Sequence, residues 1–469
     1  MNAHLVLLFV YSGLLIALGL WIGRRVSGTS DFFVAGRRLG PGLLFSTMLA
    51  ANIGAGSTVG ATGLGYRDGV AAWWWVGSAG IGSIVLALWI GPAIRRVAAE
   101  HDLRTVGDYL EHRYSRSVRA VVSVLLWLGS IAILAGQLIA VAWILNVVTG
   151  LPKYAGCLVA GVVVTVYFTA GGLLTSAWVN MVQLTVKLAG FAIAVPLALA
   201  AAGGWGGLQS AGAGHQGYWN PWQGGASGWM YLAMLGPAFV ISPGLLQKIY
   251  GARDDRTVRL GVGANAIGLL LYAPIPALMG IIARARFPSL GNSELALPMV
   301  LMYGVPTAIG SLGLAAVFSA EMSAADAVLF MLTTSLSQDL YKRFLNPAAT
   351  DRRVLAVTRG AAVASGSLGV ALAIVSPSII GVLSIFYTLL GVSLFVPIVA
   401  GLYLRRSSTI EALAAIAAGV AAMLAAQLAT GGRGVGQLTP AMIGLAAAAA
   451  GFAIVLAART GKRQDRFRS

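Results

Sequence analysis

The chain is poor in charge: only 10% of its 469 residues are Asp, Glu, Lys or Arg. A soluble domain carries about 25%, so a water-facing surface over this length is excluded. Acidic residues number 15, histidines four and cysteines one. The single Cys157 excludes an intramolecular disulfide, and it sits in an apolar run as a packing residue. The histidines, His4, His101, His112 and His215, fall at span ends or in loops, which argues against a buried bis-histidine haem site. A GxxxxGK[ST] loop is missing, which argues against a nucleotide-driven pump. No catalytic constellation or organic cofactor motif stands out, and the chain reads as a non-enzyme.

What fills the sequence is apolar: 58% hydrophobic residues and a mean hydropathy of +0.82. A membrane-spanning helix needs about 20 apolar residues. Runs of that kind lie near 4–23, 42–65, 71–94, 119–148, 154–170, 177–202, 228–247, 260–283, 306–337, 355–376, 378–404, 409–429 and 437–458, thirteen in all. Gly360 to Leu404 is free of charge. As one helix it would reach roughly 67 Å, twice the hydrocarbon core, so a turn is expected at Ser376-Pro377-Ser378. The first run lacks a basic segment before it and is followed by Arg24-Arg25, so it reads as a retained span rather than a signal peptide.

The net charge of +17 resolves onto one side. With the N-terminus outside, the inside segments hold 26 of the 32 Lys and Arg residues and the outside segments five, with Lys187 inside a span. That bias predicts an inner (plasma) membrane protein of bacterial type with a cytoplasmic C-terminus. The basic side faces lipid headgroups, and nucleic acid is not needed as a partner.

Two spans carry helix breakers at mid-membrane: Asn52-Ile53-Gly54-Ala55-Gly56-Ser57, and Gly236 to Gly244 with Pro237 and Pro243. Irregular backbone at that depth is tolerated where it is buried in protein or lines a cavity. Two interrupted helices five spans apart point to an inverted-repeat transporter. Lys187, Glu321 and Asp326 lie deep in spans, where ionisable groups are costly and mark pathways or pairs. An ion pair of Lys187 with Glu321 is the structural alternative. Asn180, Gln183 and Lys187 share a helix face, as do Ser323 and Asp326. The charge-poor loop near 203–227, rich in Trp and Gly, reads as an interfacial loop or a lid.

Six ordered motifs then carry a resemblance. DFFVAGRRLGP (31–41), MLAANIGAGSTVG (48–60), RTVGDYLEHRY (104–114), AGGLLTSAWVNMVQ (170–183), SPGLLQKIYGAR (242–253) and AEMSAADAVLFMLTTSLSQDLYK (320–342) resemble segments of the sodium–solute symporter family over roughly residues 5–460. The resemblance implies a leucine-transporter-type, all-α membrane fold of about 13 transmembrane helices. These would be an extra N-terminal helix (4–23), inverted repeats at 42–202 and 228–404, two C-terminal helices (409–458) and a basic cytoplasmic tail (459–469) in one domain.

The same resemblance implies Na+ as coupling ion, held by carbonyls of Ala50, Ile53 and Ala320 and the hydroxyl of Ser323, with Asp326 nearby. Here the chain departs from the pattern. Ala324 stands where a second hydroxyl is usual, Asn180 where an acid is usual, and Glu321 and Lys187 are additions. Lys187, Glu321, Asp326 and Asn180 are thus coupling or proton candidates, and Lys187 is a candidate tethered cation where sodium would sit. The implied solute site comprises Asn52, Ser57, Trp74, Trp75, Ser242, Ser384 and Tyr387, with Lys187 as a partner for a carboxylate. Small or apolar residues at Ser57 and Val76 disfavour sugars. The expectation is a secondary carrier importing a small organic acid, amino acid or amine by sodium symport. The alternatives are a proton-coupled or sodium-independent carrier, or a membrane sensor keeping the transporter fold.

Overall fold

The computed structural model describes residues 37–169, 173–212, 214–222, 228–432 and 434–466 and scattered positions between 6 and 21; side chains at 167, 169, 173–180 and 461–466 are not described. The expected span 4–23 and the start of the 31–41 motif therefore fall almost wholly outside the described residues, as does the side chain of Asn180.

The described chain is helical nearly throughout, since at membrane depth a backbone must bond itself. The first repeat-sized unit contains α1 (Pro41–Asn52), α2 (Ala61–Asp68), α3 (Trp73–Val85), α4 (Gly91–Glu100), α5 (Val106–Arg113), α6 (Arg116–Thr149), α7 (Lys153–Thr169) and α8 (Leu173–Ala201). The second contains α9 (Tyr231–Ile241), α10 (Pro243–Tyr250), α11 (Asp255–Tyr272), α12 (Pro274–Arg286), α13 (Ala296–Tyr303), α14 (Thr307–Thr334), α15 (Asp351–Val375) and α16 (Ile379–Tyr403). Two further helices, α17 (Thr409–Thr430) and α18 (Pro440–Arg466), pack on each other and on α16. Among the described residues, ten helical stretches are long and apolar enough to cross a membrane. Each of the expected spans from the second to the last has a helical counterpart.

Inside and outside of the bundle differ as a membrane solvent requires. The α14 stretch is the most enclosed, 94% buried over its apolar window, while α18 is 22% buried. Leu271, Val375, Leu428 and Ile454 are apolar and largely exposed, the surface that acyl chains cover. The turn expected at Ser376-Pro377-Ser378 is present, and Ser378 Oγ accepts from Gly381 N at 3.1 Å to cap α16. Gly69 reverses the chain between α2 and α3 at φ 67°, with its Cα side pressed on Tyr218 O, where a side chain has no room.

The seventh span runs past the expected end at 247. Lys248 is buried in α10 rather than opening a cytoplasmic segment. Both expected breaks occur, but the second is narrower than 236–244. Helix α9 continues through Gly236 and Pro237 and stops at Ser242 (φ −54°, ψ 120°). A residue preceding proline disfavours helical backbone, and Pro243 then opens α10. The glycine that serves packing there is Gly82 of α3: a Cβ on it would stand 2.5 Å from Gly236 O.

Candidate functional site

The first break starts where α1 ends at Ile53 (φ −90°, ψ 89°), and helix resumes in a π-helical turn, Gly56–Gly60. Amides and carbonyls freed here cannot turn to bulk water and must find partners. Side chains from three elements supply them. Ser57 Oγ accepts from Gly54 N and donates to Asn52 O, both at 2.9 Å. Gln137 Oε1 of α6 accepts from Ala55 N at 2.8 Å. Lys187 Nζ of α8 donates to Ala50 O at 2.5 Å and Ile53 O at 3.2 Å. Asn52 Nδ2 donates to Asn265 Oδ1 of α11 at 3.0 Å. Gly54 is required by proximity, since a Cβ there would meet Ala324 Cβ at 2.3 Å and Gln137 Oε1 at 2.7 Å.

The two breaks face one cavity. Asn52, Ser57, Trp75, Ser242 and Tyr387 line it, as the sequence reading expects of them. Trp75 stands edge-on to Tyr231 at 4.8 Å and to Tyr387 at 6.1 Å between ring centres, and Tyr387 faces Phe239 at 5.6 Å. The cavity is narrow, with about 70 Å³ open to the centre of a water molecule. Three expected lining residues lie elsewhere. Trp74 points to the loop at 214–222, where its Nε1 donates to Pro221 O at 2.9 Å and its ring meets Trp222 at 5.1 Å. Ser384 is rotated off the cavity; Leu383, Phe386 and Tyr387 are the α16 residues at its wall, and successive residues on a helix point about 100° apart. Lys187 lies behind the break, wholly buried, and turns its ammonium to the backbone instead of to a solute.

On the facing helix α14, Ala320, Glu321 and Ser323 are wholly buried and Asp326 nearly so. Glu321 Oε1 accepts from Thr58 Oγ1 at 2.5 Å, and Oε2 has no partner among the described residues. Lys187 and Glu321 interact electrostatically, while the hydrogen bonds of Lys187 among the described residues go to carbonyls. Asp326 instead interacts electrostatically with Lys248, which reaches the cavity wall from α10. Gln183, one turn before Lys187, is wholly buried, and neither of its amide atoms has a partner among the described residues.

Gln137, Asn265 and Lys248 were not singled out by the sequence. Each is a polar side chain in or beside an apolar run, with no spacing to a second polar residue that marks it out. Lys248 sits close enough to Arg253, Arg256 and Arg259 to be grouped with them as cytoplasmic. Residues 214–222 of the Trp- and Gly-rich loop are anchored: Tyr218 Oη donates to Gly65 O at 2.8 Å, beside the Trp74–Pro221 bond.

Comparison with known proteins agrees with this architecture. The model of the sodium:solute symporter family matches residues 32–419. The human sodium/iodide cotransporter is 26% identical over 449 residues, covering 87% of this chain and 67% of its own. The sodium/pantothenate symporter of Escherichia coli is 26% identical over 424 residues, covering 84% of each. The solved structure of a Na+-coupled sialic acid symporter, in a substrate-bound outward-open state, is similar over 97% of both chains with a TM-score of 0.81 at 18% identity, which shows the fold.

Proposed function

The chain belongs to the sodium:solute symporter family, and from that premise we propose that it is a secondary active carrier importing a small organic solute through the cavity between the two breaks. The observation that carries this reading is the cavity itself, where polar groups of both interrupted helices (Asn52, Ser57 and Ser242) meet the aromatic wall of Trp75 and Tyr387. A site with a few placed polar groups on an apolar lining orients a solute that has both characters. An organic acid, amino acid or amine of small size fits that lining better than a sugar. Lys248, at the wall, would favour an anionic end. Residues 42–202 and 228–404 would be the inverted repeats, and rocking one bundle on the other would expose the cavity to each side in turn. The orientation that places the basic segments in the cytoplasm puts the N-terminus outside, in a plasma membrane. Membership names sodium as the family's driving ion. Whatever ion drives this chain, it must raise solute affinity by the factor by which solute raises its own.

The test is a thermal-shift screen of metabolites on the purified protein, followed by uptake of the hits into proteoliposomes. A transported solute should stabilise the wild type and stabilise Trp75→Ala much less, since ligand stabilisation tracks affinity. Hits that bind both proteins alike and never enter the vesicles would remove the carrier reading.

A further inference from the structure

Sodium implied by the family does not fit the first break as this chain builds it. A hard cation of that kind needs several oxygens converging on one point. The resemblance supplies carbonyls of Ala50, Ile53 and Ala320 and the Ser323 hydroxyl. Two of those carbonyls, Ala50 and Ile53, are engaged by the Lys187 ammonium. Where a second hydroxyl would stand there is the methyl group of Ala324, pressed against Gly54. A metal cation at these carbonyls would lie beside a like charge in a region of low dielectric, where repulsion is least screened.

Lys187 is held there from every side. Its residue is 0% exposed, and α8 packs on both α1 and α14, the two elements that would otherwise enclose an ion. A buried ammonium needs acceptors. Among the described residues the two carbonyls are its hydrogen-bond acceptors, and they are carbonyls that unwinding of the helix at Ile53 and Gly54 sets free. The side chain and the break therefore complete each other: the break supplies oxygens, and the lysine supplies the positive charge.

We propose that the Lys187 ammonium is a built-in cation at the centre of this carrier, fixing the first break in shape and leaving no place for sodium at Ala50 and Ile53. Solute binding in the adjoining cavity then needs no sodium at this position. The inference builds on the carrier reading for its meaning in transport, but its test requires no solute.

The experiment uses the purified full chain in lipid nanodiscs, with radioactive sodium and with melting curves in sodium chloride against N-methyl-D-glucamine chloride. The wild type should show no saturable sodium binding, and no sodium-specific rise in melting temperature, that Ser323→Ala abolishes. Lys187→Ala combined with Ala324→Ser frees two carbonyls and restores a hydroxyl, and it should gain saturable sodium binding with a sodium-specific rise in melting temperature. Saturable binding by the wild type that Ser323→Ala abolishes overturns the proposal, and this arm stands even where the double variant fails to fold. That outcome leaves the carrier reading intact. Absence of any transported solute would sink the carrier reading and leave the sodium result unchanged.

Discussion

Gln137 shows how much one side chain decides at this site. Its Oε1 takes the Ala55 amide freed by the break, at 2.8 Å. Gln137→Leu keeps the volume and leaves a buried donor without an acceptor, which costs about 1–3 kcal/mol. The expected outcome is a lower melting temperature and weakened solute binding, with Gln137→Glu retaining an acceptor and losing less. Gly54→Ala acts by crowding. The new methyl would collide with Ala324 and Gln137, and overpacking of this kind costs about 1–3 kcal/mol. Uptake should fall with it, and a smaller loss in Gly54→Ala combined with Ala324→Gly would locate the collision. Gly54 is legible in the sequence as a helix breaker, but neither its close contacts nor the role of Gln137 is. Gln137 is one amide in an apolar helix, and Gly54 is one of 61 glycines. Their importance comes from what stands opposite, on α6 and α14.

Among the elements, α5 illustrates a short helix held by charge. Thr105 caps it, accepting from Asp108 N at 2.9 Å, and Thr105 Oγ1 donates to Asp339 Oδ1 at 2.5 Å. Arg119 joins Asp108, Glu111 and Asp339 at 2.8, 3.0 and 2.7 Å. Arg343 also donates to Glu111 Oε2, at 2.7 Å, and Arg113 binds Gly401 O and Leu404 O at the end of α16, both at 2.7 Å. The helix thereby ties α6, the π-helical continuation of α14 (Ser335–Leu345) and α16 together on the basic side. At Glu111, burial works against the charged form, but hydrogen bonds from Arg343 and Arg119 prevail and hold its carboxyl below the ordinary range. A depressed carboxyl in the folded chain stabilises fully above the unfolded value, about 4.3, and that contribution disappears as pH falls through the folded value. Melting temperature should therefore drop on acidification below about pH 4.3, and Glu111→Gln should lower it at neutral pH and flatten that drop. An equal acid slope in the variant would assign the effect to other groups.

At the scale of the molecule, the basic asymmetry predicts topology. Cys157 is wholly buried, so Cys157→Ser should give a quiet background for labelling. In intact cells a membrane-impermeant maleimide should label Arg286→Cys, near an outer end, and leave Arg405→Cys unlabelled until the membrane is opened. The reverse pattern would invert the proposed orientation. Exposed Leu271, Leu428 and Ile454 belong to the same picture, since they mark the belt that lipid covers.

The linear sequence determined the broad plan. Long uncharged runs must become self-bonded helices in a membrane, proline and glycine must interrupt them, and positive residues must gather on one side. Those are properties of composition and period, and they fix the helices, the Ser376-Pro377-Ser378 turn and the neighbourhood of both breaks. Tertiary structure decided which groups meet. It placed Trp74 against the loop at 214–222, rotated Ser384 off the cavity, brought Lys248 into its wall and set the Lys187 ammonium on Ala50 and Ile53. A side chain's partner depends on helix rotation and on the approach of residues more than a hundred positions away, and neither is written in local pattern.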